Sequence, residues 1–360
     1  MDYNGGLVFP CAIGLGTAAA VSRRADHNLR LYSQNFPELG PQIFALENFS
    51  YKKERGWFNY PLGMAHILQQ HGLELNMGLD IVFLGNLPTG GSGLSSSASL
   101  EVLTGYILQS FQHFALSREN LAILAQKAEN DFCGVNCGIM DQFIIAVAEA
   151  QKACLLDCAT LEYEQVPLEL DGHAFLIANT KLPRQLRESK YNERRSECDA
   201  ALAILRQNPI FSPKNDLCSL KNSELPVALE TLKGNETLQR RVRHVVSENI
   251  RTRNAATAMQ TGDWNGLGNL LHASHASLRD DYEVSGEHLD TLVSLLGREK
   301  AVLGARMTGA GFGGCSIALV KLSEQSEELQ SLQNRVCAAY YRQFGWEPEF
   351  YVSHAAGGVR

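Results

Sequence analysis

Residues 90–99 hold the densest chemical signal in this sequence, reading Gly90, Gly91, Ser92, Gly93, Leu94, Ser95, Ser96, Ser97, Ala98, Ser99. Three glycines let a backbone turn tightly and approach a bulky anion with no Cβ in the way. The serines at 95, 96, 97 and 99 crowd the start of a predicted helix, where free N–H groups and the helix dipole favour phosphate. No lysine follows the glycines, which excludes the G-x-x-x-x-G-K-S/T loop and leaves bound phosphates in need of another counter-charge. A Mg²⁺ held by a serine hydroxyl and one carboxylate would supply it. Glu129 and Asp141 are the acids best placed to serve the loop, and Asp141 has the further capacity to take a proton from an attacking hydroxyl. Position alone also permits blander readings, a flexible Gly/Ser linker for the loop and a helix-capping charge for Asp141.

The elements around these residues position them. An apolar run at 79–84 has strand character, and Leu100, Leu103, Ile107 and Phe111 are spaced for one helix face, so the context is strand, loop, helix. The dinucleotide fingerprint fails because Ser96 stands where its third glycine belongs. A helix at 119–129 is entered at Ser117 as N-cap, and a glycine-bearing link at 134–138 leads into a helix from Ile139. This places Glu129 and Asp141 at helix ends beside glycines.

The rest of the chain supplies a frame. Asn4 and Gly5 signal a tight turn before a strand at 7–13, a turn at residues 14–16 and a second strand; a helix follows at 57–70. Alternation around 162–172, with Pro167 in its middle, marks the domain boundary, dividing the chain into 1–166 and 167–360. The second part reads as a strand at 175–178, a polar helix at 189–206, a Pro/Asn/Ser-rich loop at 208–222 and helices at 243–259 and 267–278. An amphipathic helix carries Leu289, Leu292, Val293 and Leu296, and a last helix at 324–344 stops at Gly345. Residues 309–314 match G-x-G-x-x-G literally, but a β-type run at 315–320 follows where a dinucleotide fold needs a helix. The expected arrangement there is strand, glycine loop, strand.

With 360 residues and 45% hydrophobic content the chain can bury the cores of about two domains. A net charge of -7 argues against nucleic-acid or anionic-membrane partners. Nine cysteines without a C-x-x-C pair fit a reduced, cytoplasmic protein with buried thiols; Cys133/Cys137 and Cys154/Cys158 lack the histidines of a zinc site. No stretch has the length of a membrane span. The apolar run at 7–21 imitates a signal-peptide core, but Asp2 occupies the place of a basic n-region and Arg23 and Arg24 follow the run.

Several motifs, in order, resemble one family. Leu87, Pro88 and the loop through Leu100 and Glu101 resemble the phosphate-binding motif of the GHMP small-molecule kinases. The run Gly134, Val135, Asn136, Cys137, Gly138, Ile139, Met140, Asp141, Gln142 resembles the galactokinases within that superfamily. So do residues 2–6, residues 189–198 with Tyr191, Arg194 and Arg195, and residues 274–281. Residues 307–315 resemble the family's third motif. The similarity runs from Asp2 to Tyr351 and Val352.

The resemblance implies an α+β, two-domain fold of mixed sheets packed with helices, with the active site between the domains. It implies transfer of the ATP γ-phosphate to the anomeric hydroxyl of galactose by a monomer. Asp141 matches the catalytic aspartate, a base or a group that orients and polarises that hydroxyl. Gly138 and Tyr191 match galactose-contacting positions, Asp2 matches the aspartate that binds a ring hydroxyl, and Glu129 with Ser96 matches the Mg²⁺ ligands. Residues 90–99 match the ATP-binding loop. Two other readings are a non-catalytic sensor that binds galactose and ATP, and a kinase for a related sugar such as N-acetylgalactosamine.

One departure bears on activity. In galactokinases the run matching residues 2–6 is preceded by G-R-x-N-L-I-G-E-H-T, and this sequence begins at Met1 where that threonine stands. The arginine of that segment accompanies the catalytic aspartate and stabilises transferring phosphate. The expectation is weak or no galactose phosphorylation by the 360 residues and recovery when such a segment is added, measured as galactose-dependent ADP release; full turnover by the 360 residues would contradict it.

Overall fold

The computed structural model describes residues 1–47, 49–88, 94–182, 187–322 and 327–360. Among them the strands are β1 (Leu7–Val8), β2 (Thr17–Arg23), β3 (Asn28–Ser33), β4 (Gln42–Ala45), β5 (Leu79–Gly85), β6 (Lys152–Asp157), β7 (Tyr163–Pro167), β8 (His173–Asn179), β9 (Val302–Thr308), β10 (Cys315–Lys321) and β11 (Glu349–Ser353). The α-helices are α1 (Asn59–Gln70), α2 (Ser96–Gln112), α3 (Arg118–Lys127), α4 (Met140–Val147), α5 (Arg187–Leu205), α6 (Leu225–Thr231), α7 (Glu236–Gln260), α8 (Trp264–Asp280), α9 (Glu287–Leu296) and α10 (Glu327–Phe344). No helix among the described residues is long and apolar enough to cross a membrane.

One compact unit is built from Cys11–Thr89, Ser95–Ala150 and Ala356–Arg360. Its sheet has the order β2-β5-β3-β4, with β3 and β5 parallel and the other pairs antiparallel. Strand β5 shows why the apolar run at 79–84 forms a sheet. Leu79, Ile81 and Phe83 are buried on one face, while Asp80 on the other accepts from Arg24 at 2.7 Å and Arg30 at 2.8 Å. Helix α1 is buried nearly all round through Leu62, Met64, Ile67 and Leu68, each such side chain contributing about 1.5–3 kcal/mol. The expected start at residue 57 is a 3-10 turn, Lys53–Phe58, kinked at Gly56, and the α-helix begins at Asn59. Pro61 falls in its first turn, where no N–H is needed. Ser117 caps α3 as read from the sequence, accepting from the Asn120 amide at 3.1 Å.

The other unit consists chiefly of Met1–Pro10 and Gln151–Ala355. It contains two antiparallel sheets, β1-β6-β7 and β11-β8-β10-β9. Position 166/167 lies at the end of β7, inside this unit, because β6 pairs with β7 on one side and with β1 on the other. Strand β8 is buried from Ala174 to Ala178, so its sequence is a continuous apolar run. Helix α8 lies directly on β9: a Cβ at Gly304 would overlap the backbone of Gly268. The hairpin β9–β10 encloses residues 309–314, the strand–loop–strand arrangement expected there.

Some elements differ from expectation. Only Leu7 and Val8 of the strand expected at 7–13 pair as a strand, Pro10 lacking the donor a ladder needs. Helix α7 starts before residue 243, at Glu236, where the Asn235 side chain accepts from the Leu238 amide at 3.2 Å and replaces the apolar signal as the start. Helix α6 was not expected. Residue 324, the expected start of the last helix, lies outside the described residues; the described helix stops at Gly345 as read.

Helix α7 also buries His244, 1% exposed. Burial holds its pKa down at about 3, against a partial opposing pull from the Glu248 charge. The unfolded chain binds a proton at an ordinary histidine pKa, so between there and about pH 3 it binds more protons than the fold does. Stability should therefore fall on acidification, by about 1.4 kcal/mol per pH unit for this one group. Urea midpoints measured from pH 7 to pH 5 should show this slope in the natural chain and a shallower one in His244→Asn; equal slopes would contradict the assignment.

Candidate functional site

Of the loop expected to cradle phosphate, Gly90, Gly91, Ser92 and Gly93 lie outside the described residues. The structure begins again at Leu94. Ser95 stands at the N-cap of α2 with φ 57°, a left-handed conformation uncommon for a residue with a Cβ, and its side chain makes no capping bond. The first turn is held from behind instead. Ser99 donates to the Ser96 carbonyl at 3.0 Å and shares a 2.8 Å hydrogen bond with Thr17, the first residue of β2. Ser96 is exposed, Ser97 half-buried, and Ala98 and Ser99 buried.

The carboxylates of this unit gather behind α2. After α3 the chain runs through a single π turn, Ala128–Phe132, in which the Cys133 amide donates to the Ala128 carbonyl at 3.1 Å. Such widened turns recur at functional sites. Here it carries Glu129, 7% exposed. The Gln142 amide nitrogen donates to Glu129 Oε2 at 2.7 Å and to Glu101 Oε2 at 3.2 Å, and neither Glu101 nor Gln142 is exposed. Burial first, and the Glu129 charge second, push the Glu101 carboxyl well above the usual carboxylate range, with Asp141 adding to the effect. Glu101 is thus disposed to hold its proton more readily than an ordinary carboxyl.

Gly138 and Asp141 follow directly. The link after the π turn is pinned by Cys137, whose amide meets Asn130 Oδ1 at 3.0 Å and whose carbonyl accepts from Gln126 at 3.2 Å. Gly138 is buried behind it, and Asp141, half-buried, stands in the first turn of α4. So the structure brings Glu129, Asp141 and Glu101 into one electrostatic neighbourhood. Glu101 and Gln142 were missed as site residues. The signal for Glu101 was its place on the apolar stripe of α2, in register with buried Ala98, Gly105 and Leu108.

Asp2 and Tyr191 belong to the other unit. Asp2 opens a 3-10 turn, Asp2–Asn4, closed by Gly5 in the left-handed region, the turn expected from Asn4 and Gly5. The Tyr3 amide donates to Asp2 Oδ1 at 2.9 Å. Tyr191, on α5, meets the Tyr3 ring edge-on at 5.3 Å. The loop at 309–314 holds Gly309, Gly311, Gly313 and Gly314 at positive φ. Gly311 passes so close to the Val284 carbonyl that no side chain fits, and the Phe312 amide donates to the same oxygen at 2.7 Å.

The chemistry of the Glu129 donors suits a hard divalent cation: buried carboxylate oxygen beside a second carboxyl that burial keeps neutral. Among the described residues no three His, Cys, Asp or Glu side chains group together as a metal site.

Residues 59–149 match the family described as GHMP kinases N terminal domain, and residues 255–342 match GHMP kinases C terminal. Fold and motifs together define a small-molecule kinase of the GHMP class. Residues 1–23 match the galactokinase galactose-binding signature. The galactokinases of Clostridium beijerinckii and Streptococcus thermophilus are each 45% identical over 359 residues, 100% of this chain and 90% of theirs. The crystal structure of Lactococcus lactis galactokinase complexed with galactose is 44% identical, with a TM-score of 0.93 over 99% of this chain and 90% of that one. The chain belongs to the galactokinase family. Methanococcus jannaschii mevalonate kinase, 18% identical with a TM-score of 0.64, shares the fold.

The raised proton affinity of Glu101 has a measurable consequence. Glu101→Gln keeps shape and uncharged character and should leave the melting temperature at pH 7 unchanged or raised. Glu101→Ala opens a cavity and strips a partner from Gln142, and should lower stability by about 2–4 kcal/mol in urea unfolding. Equal destabilisation by both would contradict a neutral Glu101.

Proposed function

We propose that this protein transfers the γ-phosphate of ATP to the anomeric hydroxyl of D-galactose, giving galactose 1-phosphate. The observation that carries the reading is the full-length match to galactokinases together with an aspartate, Asp141, seated in the first turn of α4 beside a buried carboxyl pair. In this reading Asp141 aligns the anomeric O–H and accepts its proton as the oxygen attacks phosphorus.

Asp2, Gly138 and Tyr191 bind the sugar in this proposal. An aspartate that accepts from a ring hydroxyl gives specificity through geometry, and a tyrosine offers an apolar face with a polar tip. The loop of residues 90–99 and the N-terminus of α2 hold the ATP phosphates. Glu129 and Ser96 would hold Mg²⁺, which when bound supplies charge neutralisation and alignment of the phosphates. Nine free cysteines, several of them buried, support a reducing, cytoplasmic setting. We take the working unit to be a monomer.

The test separates chemistry from binding. In a chain carrying the upstream segment, Asp141→Asn is isosteric and should lower galactose-dependent ADP release by about 10²–10⁴-fold. Galactose affinity measured by calorimetry should move little. An unchanged rate in the variant would remove Asp141 from the mechanism, and absence of galactose binding by the natural chain would overturn the substrate reading.

A further inference from the structure

We infer that Tyr282 is the positioning residue for the sugar-facing side chains, its phenol setting Asp2 and Tyr191 through the turn that follows Asp2. The inference rests on the proposed sugar-binding role of those two residues and deepens it. Tyr282 lies just beyond α8, at the end of the 274–281 motif that the reaction itself leaves without a task.

Its ring is fixed from the core side. It stacks on His244 with centroids 4.2 Å apart and planes 24° from parallel, and it is 4% exposed. Its two neighbours are gripped by one buried guanidinium: Arg241 donates to the Asp281 carbonyl at 2.6 Å and to Glu283 Oε2 at 2.6 Å. His244 is itself tied to Ser277 of the motif at 2.9 Å. The ring therefore has one place to stand.

From that place the hydroxyl reaches the turn. It lies 2.5 Å from the Tyr3 hydroxyl, accepts from Asn4 Nδ2 at 3.2 Å, and meets the Cys198 sulfur at 3.4 Å. Tyr3 and Asn4 are the two residues after Asp2. Because the Tyr3 amide donates to Asp2 Oδ1, holding Tyr3 constrains the Asp2 carboxylate. The Tyr3 ring is also the surface that Tyr191 meets edge-on, so one phenol fixes both. Burial pushes both phenols up, and the pair is a neutral O–H···O contact that loses its meaning if either oxygen is removed.

A purely structural tyrosine in the core would affect stability and leave the substrates' relative affinities alone. A positioning tyrosine affects the sugar selectively, because a carboxylate displaced by even an ångström loses its hydrogen bond. The experiment is calorimetric binding of galactose and, separately, of ATP to the full chain and to Tyr282→Phe, Tyr3→Phe, the double variant and Asp2→Asn. Tyr282→Phe should weaken galactose about tenfold, the loss expected for one to two net hydrogen bonds, with ATP affinity within about twofold. Tyr3→Phe should do the same, and the double variant should be no weaker than either single one, since the two oxygens act as a unit. Unchanged galactose affinity in folded Tyr282→Phe, or equal weakening of galactose and ATP, overturns the inference. If Tyr282→Phe does not fold, Tyr3→Phe decides in the same way. Weakening by Asp2→Asn alone overturns the positioning role and keeps the sugar site; no weakening by Asp2→Asn overturns both.

Discussion

A guanidinium held at 1% exposure must find partners for its donors within the protein, because water does not reach it. Arg241 meets this demand from α7 by drawing three separate stretches of chain together. Its Nε donates to Glu197 of α5 at 2.7 Å, and its two terminal nitrogens hold the Asp281 carbonyl and the Glu283 carboxylate. Burial alone would lower its proton affinity; Glu197 and Glu283 outweigh that and raise it. Arg194 reinforces Glu197 from the same helix. Glu283 is 40% exposed, so solvent screens its share, and the enforcing pairs are the inner ones. The result is a short segment, 281–284, whose backbone is set by charge satisfaction in the core.

Close by, Glu248 shows the same logic. Burial by itself would raise its pKa, yet Arg306, His244 and Arg251 bring it down to about 2. It accepts from Ser274 of the motif, from Arg251 at 2.6 Å and from Arg306 of β9 at 3.3 Å. The carboxyl neighbourhood in the other unit takes the opposite course. Glu101 is buried with the Glu129 carboxylate beside it, and its charge is discouraged. One unit therefore uses buried acids ionised against arginines to fix position. The other sets a buried acid next to Glu129, and its charge is disfavoured.

The division of what the sequence made legible follows from these physical differences. Strand β5, the Ser117 cap, the Asn4–Gly5 turn and the β9–β10 hairpin each leave a local signature: alternation, a capping hydroxyl, a glycine at positive φ, a glycine loop between apolar runs. Asp141 and Glu129 stood out in the sequence because they sit at helix ends beside glycines. The start of α7 was not found, because a polar first turn looks like a loop until its asparagine cap is seen. Glu101, Gln142, Arg241 and Tyr282 were not found as supports, since a polar residue inside a core is defined by its partners. Those partners are far away in the chain, 41 residues for Gln142 and Glu101 and 278 for Asn4 and Tyr282, and no local pattern records such a separation.

The loop at 309–314 shows the value of context over literal motif. Its G-x-G-x-x-G spelling suits a nucleotide fold, yet Thr308 pairs with Cys315 across an antiparallel hairpin, so its glycines serve a tight reversal. What fixes the loop is the Val284 carbonyl, which accepts from the Phe312 amide and lies against Gly311. Val284 stands two residues from Tyr282, and both belong to the segment that Arg241 anchors. The segment thus touches the Asp2–Asn4 turn through Tyr282 and the glycine loop through Val284. Because a packed segment of this kind moves as one body, any shift at Arg241 reaches both features together. The segment 281–284, directly after the 274–281 motif, is the anchor from which two loops of this unit take their positions.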